Sequence, residues 1–510
     1  MGERVERVSA SSSPARAPVP VGFGIELDPE TVVLPGGRAL LGGDPVRLLK
    51  LSEAGARAFE ELSRGPVRTP AAGALARRLL ATGTAHPRPP AGATCPRVSV
   101  VVPVRDRPAE LDRLLGAVAE TSTEAAEVIV VDDGSRDPVP VAATAARHGA
   151  RLVLRDTCAG PAAARNAGLA ACADTEVVAF VDSDCVPPPG WLTRLGAHFS
   201  DPAVAAVAPR IRPLAGGRSL LARYAGARSP LDLDHREAPV RPGTRVGYVP
   251  TAVLLVRRAA LTAAFDEALR YGEDVDAVWR MIDSGWQVRY APSVQVAHEE
   301  PATWSQYLRR RYRYGTSAGP LARRHPERLA PVVLRPWSAA VAALLLVGRP
   351  GAAGAVAAFS AVRMSSALRG SGVTAPLAAK MTVRPVGSTL VGLGRYAAQL
   401  TLPAALAAAL VPPGRRGRRL AALGGLLAAP ALRDWFASRP GVDPVRWTLA
   451  CLVDDAAYGA GVWRGALRSR TLRPLLPRMA GEREAGSSAA GTVLRHWRRT
   501  VPGYGPRPSR

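Results

Sequence analysis

The sequence predicts an α/β protein: a doubly wound sheet in the middle of the chain, a small module before it and an alanine-rich α-helical region after it. Three observations carry that prediction. Short apolar, β-branched runs at 98–104, 127–133, 151–154 and 177–184 are separated by stretches with helical spacing, the pattern of a parallel sheet with crossover helices. Acidic residues stand at the carboxyl ends of these runs, notably Asp132, Asp133, Asp182 and Asp184, where open α/β sheets bind ligands. Beyond Pro331 the composition turns to alanine and leucine interrupted by arginines.

At 510 residues the chain allows two to four domains of the usual ~100–200 residues. The net charge is +25. Lys50 and Lys380 are the only lysines, so 65 of the 67 basic residues are arginine. Such a charge calls for an anionic partner, whether lipid headgroup, nucleoside diphosphate or nucleic acid. No basic patch with interleaved aromatics supports stacking on single-stranded nucleic acid, and nucleic acid is set aside. The five cysteines show no CxxC spacing, which argues against a disulfide scaffold or zinc knuckle and suits a reducing compartment. The N-terminal stretch lacks the apolar core of a secretory signal, and the main body is assigned to the cytosol.

Residues 1–20, rich in Ser, Pro and Arg, are expected to be disordered. From 21 to 85 a small module follows, with strand-like pieces broken by Pro35-Gly36-Gly37 and a helix carrying Phe59 and Leu62 on one face. It resembles the winged-helix recognition modules that bind leader peptides of ribosomally made, modified peptides. A packing cap on the next domain fits equally well. Residues 86–94 read as a linker.

The second domain, 97–325, opens with the strand Val98–Val104, ending in Arg105-Asp106-Arg107-Pro108. Leu111, Leu114, Leu115 and Val118 recur at helical spacing, with Asp106 as a candidate cap. The strand ending in Asp132 and Asp133, a helix over 141–148, a strand over 151–154 and a helix opened by Gly160-Pro161 come next. The strand over 177–184 then delivers Asp182 and Asp184. Residues i and i+2 of an extended chain face the same way, so both carboxylates are expected to meet one hard divalent cation, Mg or Mn.

Pro103-Val-Arg-Asp, Val131-Asp-Asp-Gly-Ser, Gly160-Pro-Ala-Ala-Ala-Arg-Asn-Ala-Gly and Asp182-Ser-Asp together resemble the nucleotide-binding half of the family-2 glycosyltransferases with the GT-A fold. The resemblance covers about residues 97–315. It implies nucleotide-sugar contacts from Pro103, Arg105, Asp106, Asp132, Asp133, Arg165, Asp182 and Ser183, with uracil as the base. Arg165, near a helix N-terminus, would approach the diphosphate as a fixed cation. Asp182 and Asp184 would hold the metal, joined by His298 at a later strand end. Glu273-Asp274, at a helix start, resembles the family's acceptor-side acidic pair. An inverting transfer needs a carboxylate to take the acceptor proton, a role that falls to Asp274, with Glu273 and Asp276 orienting the acceptor or the helix. Gln306 and Arg309 stand where processive members carry Gln-x-x-Arg-Trp, but Arg310 replaces the tryptophan.

Residues 331–480 form Ala/Leu-rich stretches too short for the ~20 apolar residues of a spanning helix, Tyr396–Val411 coming nearest with Pro403 inside it. Interfacial helices whose arginines meet anionic lipid are expected, on the cytoplasmic face of the membrane, with true spanning and a soluble helical domain packed through alanine as the alternatives. Residues 481–510 are expected to be a disordered tail. Ser229-Pro-Leu-Asp, Tyr248-Val-Pro-Thr-Ala, Arg270-Tyr-Gly-Glu-Asp-Val-Asp and Val296-Ala-His-Glu-Glu-Pro are similar to the glycosyltransferases of the mycofactocin system. That family implies transfer of glucose from a UDP-sugar donor to a peptide-derived small-molecule acceptor, a redox cofactor, as a β-1,4-linked oligoglucose chain. A transferase for a cell-envelope glycan or a polyprenyl-phosphate acceptor is the alternative.

Overall fold

The computed structural model describes residues 17–121, 125–214, 217–367, 373–410 and 416–480. Of the segments expected to be disordered, 1–16 and 481–510 lie outside the described residues, as do Val411 and Arg415. The chain forms two compact units. One comprises 1–31, 51–212 and 230–299; the other comprises 32–50, 213–229 and 300–510.

The first unit is built on a nine-stranded mixed sheet. Its strands are β1 (Val98–Val104), β2 (Ala125–Asp133), β3 (Arg151–Arg155), β4 (Val177–Val181), β5 (Cys185–Val186), β6 (Val204–Pro213), β7 (Ala238–Pro239), β8 (Val253–Arg257) and β9 (Gln287–His298). The order is β5-β9-β6-β8-β4-β1-β2-β3, with β7 paired to β9. Strands β1 to β4 pair in parallel. Every residue of β4 is fully buried, as a strand covered by helices on both faces requires. The expected parallel winding stops there: β8 pairs antiparallel with β4, and β6 antiparallel with β8. Continuing it would need a helical crossover after β4, and residues 182–184 make only a turn.

Three helices position the site: α1 (Pro108–Thr121), α2 (Pro161–Ala171) and α3 (Glu273–Asp283). Helix α2 lies so close to the sheet that a Cβ on Gly168 would sit 2.3 Å from Val101 Cγ1 and 3.1 Å from Val131 Cγ2. Phe180 of β4 meets Phe265 edge to face at 5.1 Å, which holds the chain leading to α3 against the sheet.

The residues expected to form one small module, 21–85, are divided between the units. In the first unit, Gly24–Leu27 pairs antiparallel with Ala85–Arg88, beside helices Glu53–Arg64 and Pro70–Thr82 capped by Ser52 and Thr69. The expected linker therefore begins later than 86. His86 is buried in that strand, its Nε2 3.0 Å from Asp28 Oδ2. The three-stranded antiparallel sheet of Val32–Val33, Ala39–Gly42 and Arg47–Lys50 belongs to the second unit.

The remainder of the second unit is mainly helical, its longest helices being Ala375–Tyr396, Arg416–Ser438 and Pro444–Arg468, with a short parallel pair of Val333–Leu334 and Arg478–Met479. Tyr224, Trp304, Tyr307 and Trp447 form an aromatic cluster with ring centroids 5.2–5.9 Å apart. Asp454 and Asp455, buried on the last of these helices, are met by Arg311 and Arg228. No helix among the described residues is long and apolar enough to cross a membrane.

Replacing Gly168 by Ala should destabilise the first unit by about 1–3 kcal/mol, since the added methyl must displace Val101 or lift α2. Urea denaturation of the two proteins measures this; equal midpoints would mean that α2 packs less tightly than described.

Candidate active site

The carboxyl ends of β1, β2 and β4 gather the predicted residues. Pro103 lies within β1, paired with Val131. Beyond it, Arg105 donates from Nε to the Gly134 carbonyl at 3.2 Å and from Nη1 to Cys158 Sγ at 3.0 Å. Asp106 takes a left-handed φ of 56°. The expected capping of α1 is absent: the Asp106 carboxylate accepts from the Arg136 amide at 2.8 Å, and its own amide donates to Ser135 Oγ. This side chain thus ties the β1 loop to the β2 loop.

Asp132 and Asp133 take different roles. Asp133 is spent on the loop before α2, accepting from the amides of Gly160 (2.7 Å) and Ala159 (3.2 Å), with Arg155 beside it. Asp132 accepts from the Ser135 amide through Oδ1, while its Oδ2 is buried without a donor among the described residues. A buried carboxylate oxygen in that state suits a ligand N–H or O–H.

The turn after β4 parts the other two carboxylates. The extended alternation expected to aim Asp182 and Asp184 at one cation is broken where the Cys185 amide bonds back to the Asp182 carbonyl at 3.0 Å. Asp182 receives Arg165 Nη2 at 2.8 Å. Asp184 receives Arg107 Nη1 at 2.5 Å through Oδ2, and its Oδ1 lies 3.4 Å from His298 Nε2. Ser183 is buried between them in the chain. The His298 placement follows from the sheet, since Cys185 and His298 are register partners in β5 and β9.

Arg165 also differs from expectation. It is 3% exposed, and its second nitrogen, Nη1, donates to Glu273 Oε1 at 2.8 Å. The guanidinium stacks against Phe265 at 5.7 Å. Both forks are taken by carboxylates, so Arg165 bridges β4 and α3 instead of presenting itself to a diphosphate. Asp182 and Glu273 both help hold its proton more firmly than usual, against the cost of burial.

Helix α3 starts after Gly272, whose φ of 84° lets the chain turn in. Burial first, and then the Asp274 charge, push Glu273 up to about 7 despite Arg165. Burial likewise raises Asp274, whose Oδ1 accepts from the Val275 amide at 2.8 Å. Asp276, fully buried, accepts from Arg280 Nε at 2.8 Å and so braces the helix.

A divalent cation fits the pair Asp184 and His298, an oxygen in the turn before β5 and an imidazole nitrogen on the adjoining β9. No group of three His, Cys, Asp or Glu among the described residues assembles as a metal cage. The expected third ligand, Asp182, is turned to Arg165. Such a cation would complete its shell from substrate phosphates and water, as Mg²⁺ commonly does. Two residues escaped the sequence reasoning. Arg107 carries only the signal of a basic residue two positions beyond Arg105, and Phe265 that of an aromatic upstream of Glu273-Asp274.

A family model described as Glycosyl transferase family 2 matches residues 99–261. The chain is 39% identical over 474 residues to Pre-mycofactocin glycosyltransferase of Mycobacterium tuberculosis, spanning 90% of this chain and 98% of that one. It is 28% identical over 231 residues to Glycosyltransferase AglE of Haloferax volcanii, covering 44% of this chain and 73% of the relative. A solved mannosyltransferase from Pyrobaculum calidifontis, in complex with GDP-Man and Mn²⁺, matches 67% of this chain and 88% of its own at 20% identity, with a TM-score of 0.36. The fold, the acidic strand ends and the family match define a glycosyltransferase. With its similarity running along nearly the whole of both chains, this chain belongs to the family of Pre-mycofactocin glycosyltransferase.

The Glu273 ionisation gives a signed pH dependence. Its folded-state pKa lies above the usual 4.5, so its contribution to stability is complete below about pH 4.5 and is lost as pH rises towards 7. The melting temperature of wild type minus that of Glu273→Gln should therefore fall across pH 4.5–7. A flat difference would contradict the burial of this carboxyl.

Proposed function

We propose that the chain is an inverting, metal-dependent transferase that moves glucose from UDP-glucose onto pre-mycofactocin, a peptide-derived redox cofactor precursor, building a β-1,4-linked oligoglucose chain. The observation that carries the acceptor is the 98% coverage of Pre-mycofactocin glycosyltransferase, which extends beyond the nucleotide-binding domain into the helical region. Donor, linkage and stereochemistry rest on the sequence resemblance.

Each side chain then has a task. Asp132, through its buried Oδ2, receives a uracil N–H or ribose hydroxyl, with Arg105, Asp106 and Pro103 framing that end of the pocket. Asp133 keeps the loop before α2 in place. Asp184 and His298 would hold the cation, at the carboxylate to which Arg107 donates. Bound there, the cation neutralises charge on the departing diphosphate. Asp274 accepts the acceptor hydroxyl proton; its raised pKa makes it a stronger base than an exposed aspartate. Glu273 is the positioning residue, held by Arg165, which also fixes Asp182 and thereby the turn through Ser183.

The second unit is proposed to lie on an anionic membrane surface at its cytoplasmic face. Helix Pro444–Arg468 supports this: Val445, Leu449, Val453, Trp463 and Leu467 are exposed along it. The exposed charges on the helix are Arg446, Arg464 and Arg468. Five cysteines without a disulfide suit that reducing compartment. The part of residues 21–85 that lies in the first unit, with helices Glu53–Arg64 and Pro70–Thr82, is proposed to recognise a peptide.

UDP release from UDP-glucose with Mn²⁺ should require pre-mycofactocin, and Asp274→Asn should lower kcat by about 10²–10⁴-fold. Asp184→Asn should raise the Mn²⁺ concentration needed. Turnover with a polyprenyl-phosphate extract alone would sink the acceptor assignment. In flotation with liposomes, binding should occur with phosphatidylglycerol and weaken in 0.5 M NaCl. Equal recovery with neutral phosphatidylcholine vesicles would remove the electrostatic part of the membrane reading.

A further inference from the structure

A second polar cavity lies within the first unit, built from different residues than the candidate active site. It has room for about one water-sized group, about 10 Å³, within about 200 Å³ that includes open solvent. Phe23 and Leu80 come from the N-terminal segment, while His198, Asp201, Gln287 and Arg289 come from the sheet domain. Arg289, in β9, is 2% exposed. Its Nη1 donates to the Leu80 carbonyl at 3.3 Å, and its Nη2 finds no acceptor among the described residues. Gln287, two residues earlier on the same strand and therefore on the same face, has a buried Nε2 in the same condition. Two donors, one of them charged, thus line one cavity unsatisfied.

The acids nearby do not supply the missing acceptor. Asp201 is held by both terminal nitrogens of Arg77, at 2.6 and 2.7 Å, and accepts the Ala203 amide at 3.0 Å. Glu237 is taken by Arg88 at 2.8 Å. His198 is held neutral by burial, which pushes it down to about 3, so it adds no charge. Burial also lowers Arg289 to about 10, which leaves it cationic at neutral pH. Glu237 and Asp201 offset its charge through space, yet its buried Nη2 has no acceptor among the described residues, and leaving such an arm open is costly.

We propose that this cavity is a binding site for a small monoanion, a halide or the carboxylate of a small acid, accepted by Arg289 Nη2 and Gln287 Nε2. The anion would bridge the N-terminal segment, through the Leu80 carbonyl that shares Arg289, to the edge of the sheet. The site is independent of catalysis: none of its residues contributes to the candidate active site.

Crystals of the full chain soaked in NaBr, and separately in sodium formate, test it directly. An anomalous bromide peak, or planar formate density, within hydrogen-bond distance of Arg289 Nη2 and Gln287 Nε2 is expected; the two soaks tell halide from carboxylate. Water only at that position in both soaks overturns the proposal. In solution, replacing sodium gluconate by NaCl or sodium formate at constant ionic strength should raise the melting temperature saturably, by about 1–3 °C. Arg289→Gln should abolish the rise. Should that variant fail to fold, Gln287→Leu, which keeps the arginine, should shift the half-saturating anion concentration upward several-fold. An unchanged titration in Gln287→Leu overturns the proposal as well.

Discussion

The site depends on one buried cation. Arg165 reaches from α2 to the end of β4 and to the first residue of α3, and each of its terminal nitrogens is committed to a carboxylate at 2.8 Å. Removing one partner of such an arrangement typically costs about 3–5 kcal/mol, because a charge is left buried and uncompensated. The consequence is geometric as much as energetic. Asp182 follows β4 and Glu273 opens α3, so a single guanidinium ties these two elements together. Close packing of Gly168 against Val101 keeps the helix that carries it at the right depth.

Around that cation the carboxylates divide the chemistry by environment. Asp133 is saturated by backbone amides and serves the loop, whereas its neighbour Asp132 keeps one buried oxygen open. Glu273 and Asp274 are adjacent acids in a poorly solvated place, and both are raised by burial. Arg165 meets Glu273 by contact and acts on Asp274 through space. Asp184 takes Arg107 and lies against His298 of β9. Identical side chains thus differ in role because solvent, amides and arginines are unequally distributed among them.

The large positive charge has several destinations. Part of it is consumed inside the second unit, where Arg228 and Arg311 satisfy the buried Asp454 and Asp455. Another part, on the exposed face of Pro444–Arg468, stands beside apolar side chains, with Asp443 at the N-cap paired to Arg446. Arg289 is a third case, a buried cation whose hydrogen-bonding capacity is only partly used.

Much of the fold was legible because its signals are local. Four apolar runs, their helical separators and the acids at their ends depend on spacings of a few residues, and each appears as a strand, a helix or a strand end where expected. By itself, then, the sequence determined the α/β core, the order of its motifs and the group of acids that share one sheet edge. Tertiary structure alone decided which charge meets which. Arg165 and Glu273 are 108 residues apart, Arg107 and Asp184 77 apart, and no periodicity encodes such pairings. It also decided that the chain turns at Ser183, sending Asp182 and Asp184 to different partners, and that the sheet becomes antiparallel beyond β4. The physical reason is that hydrophobic pattern specifies which face of an element is buried, whereas the partner of a buried charge is set by whichever element packs opposite it.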